Sequence, residues 1–231
     1  MELQVYGGRK LGKFEFYVDR DNCFSPTTLT SFALDAIDPD TLGDTLLDLG
    51  CGIGIVGIMF SKYVKDVLGV DCVDKHIELS LENSGLHKTD NVAFIKSNIF
   101  EDVHKKDFNT IISDISGIDE RVAKLAGWFP GKVPNGGIDG SETIVQATLD
   151  SVNYLQTGGQ FISMVSSLSN VSAIQEAFDK TYPDWEILAE KVIPCSPELY
   201  EIEDYLLEKG YAEKKGSRLI WKGYLYKGIK K

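Results

Sequence analysis

Short apolar runs alternate along most of the chain with stretches whose apolar residues recur at helical spacing. Runs of this length, rich in Val, Ile, Leu and Phe, are typical of buried parallel strands. They predict strands at residues 45–49, 67–71, 92–95, 108–114 and 160–165. The intervening and following stretches predict helices at residues 55–63, 75–83, 118–125, 141–155 and 171–178. This alternation predicts an α/β fold with a doubly wound parallel sheet, which binds ligands at the carboxyl ends of its strands.

Both ends of the sequence depart from this alternation. Short β runs at residues 4–6 and 13–18 surround glycines and predict a hairpin. Ser25 and Pro26 predict the start of a helix to about Ile37, because serine is a good N-cap and proline is tolerated at the first helical position. The last part predicts a strand, a helix and a strand at residues 185–193, 197–209 and 219–226. We expect a hairpin and helix (1–40) packed on one domain (41–231).

The composition is that of an ordinary globular protein, with 43% hydrophobic and 26% charged residues in a chain of 231. The sequence has no apolar run of about 18 residues and no secretory signal pattern at its start, so we expect no membrane association. Its cysteines form no Cys-x-x-Cys pair, and its histidines lack ligand spacing. We therefore expect no metal site and reduced thiols in the cytoplasm.

The clearest chemical signal is a glycine-rich segment that follows the first predicted strand of the sheet, Leu46-Leu47-Asp48-Leu49-Gly50-Cys51-Gly52-Ile53-Gly54. Glycines allow a tight turn and a close approach of a ligand to the backbone. Gly52, Gly54 and Gly57 also match the dinucleotide fingerprint, with Asp71 placed 19 residues after Gly52 as a ribose-binding acid. A nicotinamide or flavin cofactor is therefore one alternative.

Asp48 favours a different cofactor. Its carboxylate ends the strand directly before the loop, where it would repel a bound pyrophosphate. S-adenosylmethionine has no phosphate, and its sulfonium and ammonium groups would be attracted by an acid at this point. Its own carboxylate can use the N–H groups at the start of the following helix.

The run from Asp48 to Asp71 resembles the class I S-adenosylmethionine-dependent methyltransferases. The resemblance covers about residues 22–170 and is greatest to the small methyltransferase branch that contains the release-factor glutamine and small-ribosomal-subunit guanine methyltransferases. Phe24-Ser25-Pro26-Thr27-Thr28 is similar to the segment that closes over the cofactor there. The resemblance implies a Rossmann-like, doubly wound, seven-stranded mixed sheet, here with an N-terminal β-hairpin extension. It implies cofactor contacts from Phe24, Thr28, Asp48, Gly50, Cys51, Gly52, Gly54, Asp71, Cys72, Asn98 and Ile99.

The chain departs from that branch where the fourth strand of the sheet ends. The branch has Asn-Pro-Pro-Tyr or a close variant, which aims a planar nitrogen at the methyl group, whereas this chain has Asp114-Ile115-Ser116-Gly117. We hypothesise that Asp114 binds or deprotonates the methyl acceptor and that Ser116 adds a polar contact. The alternative is an acid that touches only solvent or cofactor. Trp128 and Phe129 begin a loop rich in Gly and Pro (128–137), and they either line the acceptor pocket or pack against the sheet.

Charge is distributed unevenly along the chain, whose formal net charge is −11. Residues 209–231 contain eight Lys or Arg and one acid, with Tyr211, Trp221, Tyr224 and Tyr226 among them. Such a segment can bind RNA by charge and stacking, although a strand with one solvated face explains it more simply.

The sequence as a whole predicts a cytoplasmic S-adenosylmethionine-dependent methyltransferase that acts on a protein side chain or a small metabolite. The alternatives are methylation of a ribosomal or transfer RNA base, and a non-catalytic role as a cofactor-binding or assembly protein.

Overall fold

The computed structural model describes residues 1–129 and 133–231. Strands β1 (Glu2–Gly8) and β2 (Gly12–Val18) form an antiparallel hairpin, and helix α1 (Thr28–Ala36) follows it. The elements after α1 are β3 (Thr45–Leu49), α2 (Ile55–Phe60), β4 (Asp66–Asp71), α3 (Asp74–His87), β5 (Val92–Lys96), β6 (Phe108–Ser113), α4 (Glu120–Ala126), α5 (Glu142–Ser151), β7 (Leu155–Ser166), α6 (Val171–Thr181), β8 (Glu186–Pro194), α7 (Glu203–Glu208), β9 (Glu213–Lys215) and β10 (Arg218–Ile229).

The main sheet has the strand order β5-β4-β3-β6-β7-β10-β8, with the short β9 paired to the start of β10. Strands β5, β4, β3, β6 and β7 are parallel, whereas β10 is antiparallel to both of its neighbours. The predicted mixed sheet and the hairpin extension are therefore confirmed. The chain moves outward from β3 in one direction through β4 and β5, and in the other through β6 and β7. The carboxyl ends of β3 and β6 thus form the switch point at which such sheets bind ligands.

The central strands are apolar throughout because helices cover both faces of the sheet. Leu46 and Ile112 pack with residues of α1 and α2, while Leu47 and Ile111 face residues of α5 and α6. Burial on both faces produces continuous apolar runs, which is why the sequence located these strands. None of the described helices is long and apolar enough to cross a membrane.

The start of α1 differs from the sequence prediction. The helix begins at Thr28 instead of at Ser25 and Pro26, because Thr27 is the N-cap. The Thr27 hydroxyl accepts backbone hydrogen bonds from Leu29 at 3.0 Å and from Thr30 at 3.3 Å. The side chain of Thr30 accepts in return from the Thr27 N–H at 3.1 Å, which completes a capping box. The capping box therefore fixes the first turn of α1 at Thr28.

Two further segments were predicted incorrectly. The predicted helix 141–155 ends at Ser151, because its last residues lead into β7, which starts at Leu155. The predicted helix 197–209 is divided into a 3-10 turn (Pro197–Ile202) and the short α7, and β9 was not predicted.

Asn83 of α3 joins the hairpin to the main domain. Its fully buried side chain accepts a hydrogen bond from the Tyr17 N–H at 2.7 Å and donates to the Tyr17 carbonyl at 3.2 Å. It also donates to the carbonyl of Ile53, in the glycine loop, at 3.0 Å. The amide side chain thus fills the place that a neighbouring strand would take along β2, and it links the hairpin to the loop.

The aromatic residues of the basic segment do not form an exposed stacking surface. Tyr211, Trp221 and Tyr226 are buried in the core, and Tyr224 is partly buried. These buried side chains are not available for stacking on RNA, which fits the simpler interpretation of the segment as a strand. Lysines of this segment form ion pairs with acids at positions 184–203, in the pairs Lys214–Glu203, Lys222–Glu190, Lys227–Glu186 and Lys231–Asp184. Strand β10 of this segment lies between β7 and β8 in the sheet, and the short β9 pairs with its start.

Candidate active site

A cavity opens at the carboxyl ends of the parallel strands, where β3, β4, β5 and β6 lead into their loops. Ten of the residues predicted from the sequence line it: Phe24, Gly50, Cys51, Gly52, Asp71, Cys72, Asn98, Ile99, Asp114 and Ser116. Thr28, Asp48, Gly54, Trp128 and Phe129 were also predicted and are not among the residues that line it. The turn after each strand thus contributes to one common site.

The glycine loop bends through three residues with positive φ angles, at +78° for Gly50, +51° for Gly52 and +86° for Gly54. A Cβ atom on Gly50 would lie 3.0 Å from Ile115, and one on Gly54 would lie 2.8 Å from the ring of Phe94. These two glycines therefore allow close packing around the loop. A Cβ atom on Gly52 would meet no described atom within 4 Å, so Gly52 leaves open space at the cavity.

Asp71 fixes the loop from the end of β4. Its Oδ2 atom accepts the Gly52 N–H at 3.0 Å, and its Oδ1 atom accepts the Val73 N–H at 2.9 Å. Oδ1 also lies 2.9 Å from Nδ1 of His76. A carboxylate has about four acceptor positions. Oδ2 therefore keeps the capacity for one more hydrogen bond, such as that from a ribose hydroxyl.

Asp48 lies behind the loop and not in the cavity, which corrects the role predicted for it. Its side chain is fully buried, and its Oδ2 atom accepts the Gly57 N–H of α2 at 2.8 Å. Burial raises the pKa of Asp48 to about 8. Neither a direct contact to a sulfonium nor direct repulsion of a pyrophosphate is available from this position. Asp48 instead ties the first turn of α2 to the end of β3.

Asp114 is held at the opposite wall by a residue that the sequence analysis missed. The hydroxyl of Thr30 donates to Oδ2 of Asp114 at 2.7 Å, and both residues line the cavity. Burial raises the pKa of Asp114 to about 7, against the effect of this hydrogen bond, which favours the charged form. Thr28, which was predicted instead, is exposed at the start of α1. The Thr-x-x-Thr spacing of the capping box was the available signal for Thr30.

Phe24 and Phe129 stack face to face, with ring centroids 4.8 Å apart and planes at 11°. Phe24 lines the cavity, so Phe129 supports this wall from behind. Trp128 packs against the apolar cluster formed by residues of α4, α7 and β10. Both aromatic residues therefore support the structure around the cavity and are not among the residues that line it. Residues 130–132 of the same predicted loop lie outside the described residues.

The thiols at the cavity belong to its apolar lining. Burial raises the pKa of Cys72, and it raises that of Cys51 well above the usual range, so both stay protonated at neutral pH. Among the residues that the structure describes, no group of three His, Cys, Asp or Glu side chains is arranged to hold a metal ion.

Residues 22–114 match the family model of the methyltransferase small domain. This part of the chain is similar to a methyltransferase small domain. This domain carries the glycine loop, the turns after β4 and β5, and Asp114, and its match confirms the resemblance to class I methyltransferases.

Parts of the chain are similar to methyltransferases of different substrate classes. A putative protein N5-glutamine methyltransferase of Methanocaldococcus jannaschii is 28% identical over 131 residues, which are 56% of this chain and 66% of that protein. The 23S rRNA uracil-C5 methyltransferase RlmD of Photobacterium profundum is 35% identical over 92 residues. That match covers 36% of this chain and 20% of RlmD, so the chain spans about a fifth of the length of this relative.

The fold as a whole is similar to that of solved methyltransferases. The 16S rRNA N2 methyltransferase RsmC of T. thermophilus, solved with AdoMet and guanosine, superposes with a TM-score of 0.61 at 12% sequence identity. The superposition covers 100% of this chain and 50% of RsmC. At this identity the similarity establishes the fold of the chain.

Because the carboxyl of Asp48 is buried, we expect its contribution to the stability of the fold to depend on pH. Its pKa is about 8 in the fold and about 4 in the unfolded chain, so the folded state holds the extra proton between these values. The contribution of this group to the free energy of unfolding therefore falls as pH rises through this range. Asp48→Asn keeps an acceptor for Gly57 without the charge. We expect the melting temperature of the variant, relative to wild type, to increase from about pH 5.5 to about pH 8.5.

Asp74→Asn is the matched control, because Asp74 is an exposed acid at the start of α3. Its melting temperature relative to wild type should change little over the same range. A constant difference for Asp48→Asn would contradict the raised pKa.

Proposed function

We propose that this chain transfers a methyl group from S-adenosylmethionine to a protein side chain or a small metabolite. The observation that carries the proposal is the common cavity, in which the open position at Gly52 and the carboxyl of Asp114 face one space. The methyltransferase small domain covers both positions. The protein glutamine methyltransferase relative supports a protein acceptor.

The described residues fit S-adenosylmethionine by their chemistry. Gly52 leaves room for a ligand to approach the backbone, and Asp71 has capacity for a hydrogen bond from a ribose hydroxyl. The side-chain nitrogen of Asn98 donates to Glu101 at 2.9 Å, which leaves its oxygen for the amino group of an adenine. Ile99 and Cys51 supply apolar surface. When bound, this cofactor supplies an electrophilic methyl group.

Asp114 is suited to bind the acceptor and to take its proton. Thr30 holds one carboxylate oxygen, so the side chain has a fixed orientation and its other oxygen can accept from an N–H or O–H group. A pKa of about 7 lets Asp114 act as a base at neutral pH. Ser116, on the same wall, supplies a second polar contact. An acid at this place suits an amine or hydroxyl acceptor better than a planar amide, because the Asn-Pro-Pro-Tyr motif is replaced.

The first test is cofactor binding, measured by calorimetry with S-adenosylmethionine, S-adenosylhomocysteine and NAD. We expect the first two to bind and NAD not to bind. Gly52→Val should weaken binding by at least about tenfold, because its side chain would occupy the cavity. Gly216→Val is the matched control, since Gly216 also has a positive φ and open space around it but lies in the turn before β10. Equal losses in both variants would contradict a ligand at Gly52.

The second test identifies the acceptor. Cell extract is incubated with the protein and methyl-labelled S-adenosylmethionine, and is then fractionated into protein, RNA and small molecules. Label in the protein or small-molecule fraction supports the proposal. Label confined to RNA would favour the alternative of base methylation, and binding without any transfer would favour a non-catalytic protein.

The pH dependence of turnover tests the role of Asp114. Since its deprotonated form is the base, turnover should rise up to about pH 7 and then level. Asp114→Asn should lower turnover at least about 100-fold, with only about a threefold change in cofactor affinity. Thr30→Val removes a hydrogen bond to the charged form and should move the rise to higher pH, whereas Thr30→Ser should keep it in place. Unchanged turnover of Asp114→Asn would refute this role.

A further inference from the structure

His76 connects the glycine-loop side of the cavity to its Phe24 wall. It is in the first turn of α3, and its side chain is only 3% exposed although it lines the cavity. Its Nδ1 atom lies 2.9 Å from Oδ1 of Asp71. On the other side of the ring, Nε2 accepts a hydrogen bond from the backbone N–H of Phe24 at 3.1 Å. Both ring nitrogens are therefore engaged, each with a different wall of the site.

The two contacts together define the form of the imidazole. A backbone N–H can only donate, so Nε2 must carry a lone pair. The proton of the neutral ring is then on Nδ1 and points to the carboxylate of Asp71, which is an acceptor. A side chain at this position has to donate in one direction and accept in the other, and packing alone does not require this combination.

The contacts of His76 belong to a continuous series. The Gly52 N–H binds Asp71, Asp71 accepts from His76, and His76 accepts from Phe24, whose ring stacks on Phe129. The series runs from the open position of the loop to the aromatic wall, and each link is a hydrogen bond or a ring contact. The series therefore connects the carboxylate of Asp71 to the backbone at Phe24.

We propose that His76 is a positioning residue that couples the glycine loop to the Phe24 wall and thereby sets the affinity of the cavity for an S-adenosyl ligand. The inference rests on the proposed function for the identity of that ligand. It adds a specific structural link, because Phe24 and Asp71 are 47 positions apart in the chain and His76 contacts both of them.

Two substitutions separate the two contacts. His76→Asn places an amide nitrogen near the position of Nδ1, so it can donate to Asp71 but does not reach Phe24. His76→Gln places an amide oxygen near the position of Nε2, so it can accept from Phe24 but loses the donor to Asp71. Both remove the ring, and loss of packing alone predicts the larger effect on both readouts in His76→Asn, whose side chain is one methylene shorter.

The first readout is amide hydrogen exchange at Phe24 in the full chain without ligand. We expect protection of the Phe24 amide in wild type and in His76→Gln, and at least about tenfold faster exchange in His76→Asn. The second readout is the dissociation constant for S-adenosylhomocysteine from calorimetry. It should rise about tenfold in both variants, because each breaks one of the two contacts through which His76 couples the loop to the Phe24 wall.

Equal exchange at Phe24 in the two variants would overturn the coupling, as would protection of Phe24 in His76→Asn or wild-type affinity of His76→Gln. Wild-type protein that binds no S-adenosylhomocysteine would overturn the proposed function. The exchange of the Phe24 amide needs no ligand, so it would still show whether His76 binds the backbone at Phe24. Failure of the coupling and failure of the proposed function are therefore distinguishable.

Discussion

The site depends on how the glycine loop satisfies its backbone N–H groups. The N–H groups of Gly50, Cys51 and Gly54 bind backbone carbonyls. The Gly52 N–H and the N–H of Gly57, in the first turn of α2, bind side chains instead, and a buried unpaired N–H would cost about 1–3 kcal/mol. Two carboxylates supply the acceptors: Asp71 binds the Gly52 N–H in front of the loop, and Asp48 binds the Gly57 N–H behind it. Asp71 is the last residue of β4, and Asp48 is the second-to-last residue of β3. The two strands therefore fix the positions of the acceptors that hold the loop and the start of α2.

The opposite side of the cavity is assembled from segments that are distant in sequence. The first helix contributes Thr30, which orients Asp114 after β6, and α3 contributes His76 and Asn83, which bind Phe24 and Tyr17 of the N-terminal region. The hairpin therefore adds more than an extension to the fold, since its position and that of the following wall are fixed by side chains near the loop. Parallel strands make this convergence possible because their carboxyl ends all lie at one edge.

The strands and most of the cavity could be predicted from the sequence because burial on both faces and the glycine spacing are local signals. The direct cofactor contact predicted for Asp48 is not available, although the alternation of side chains along β3 indicates which way Asp48 points. Leu47 and Leu49 pack on the side of α5 and α6, so Asp48 points with Leu46 to the side of α2 and beneath the loop. The contact from Thr30 to Asp114 spans 84 positions and has no local signature beyond a capping box. Pairings of this kind are set by tertiary packing.

Three acids near one cavity constrain the charge of its ligand. Burial is the main cause of the raised pKa values of Asp48 and Asp114, and the charges of Asp114 and Asp71 raise that of Asp48 further. A cationic ligand would favour the charged forms of Asp48 and Asp114, whereas a phosphate would oppose them. The proposed preference for a sulfonium and ammonium compound over a dinucleotide therefore does not need a direct contact from Asp48. It rests on the coupling between the charge of the ligand and the ionisation of Asp48 and Asp114, whose carboxyls lie where the dielectric is lower than in water.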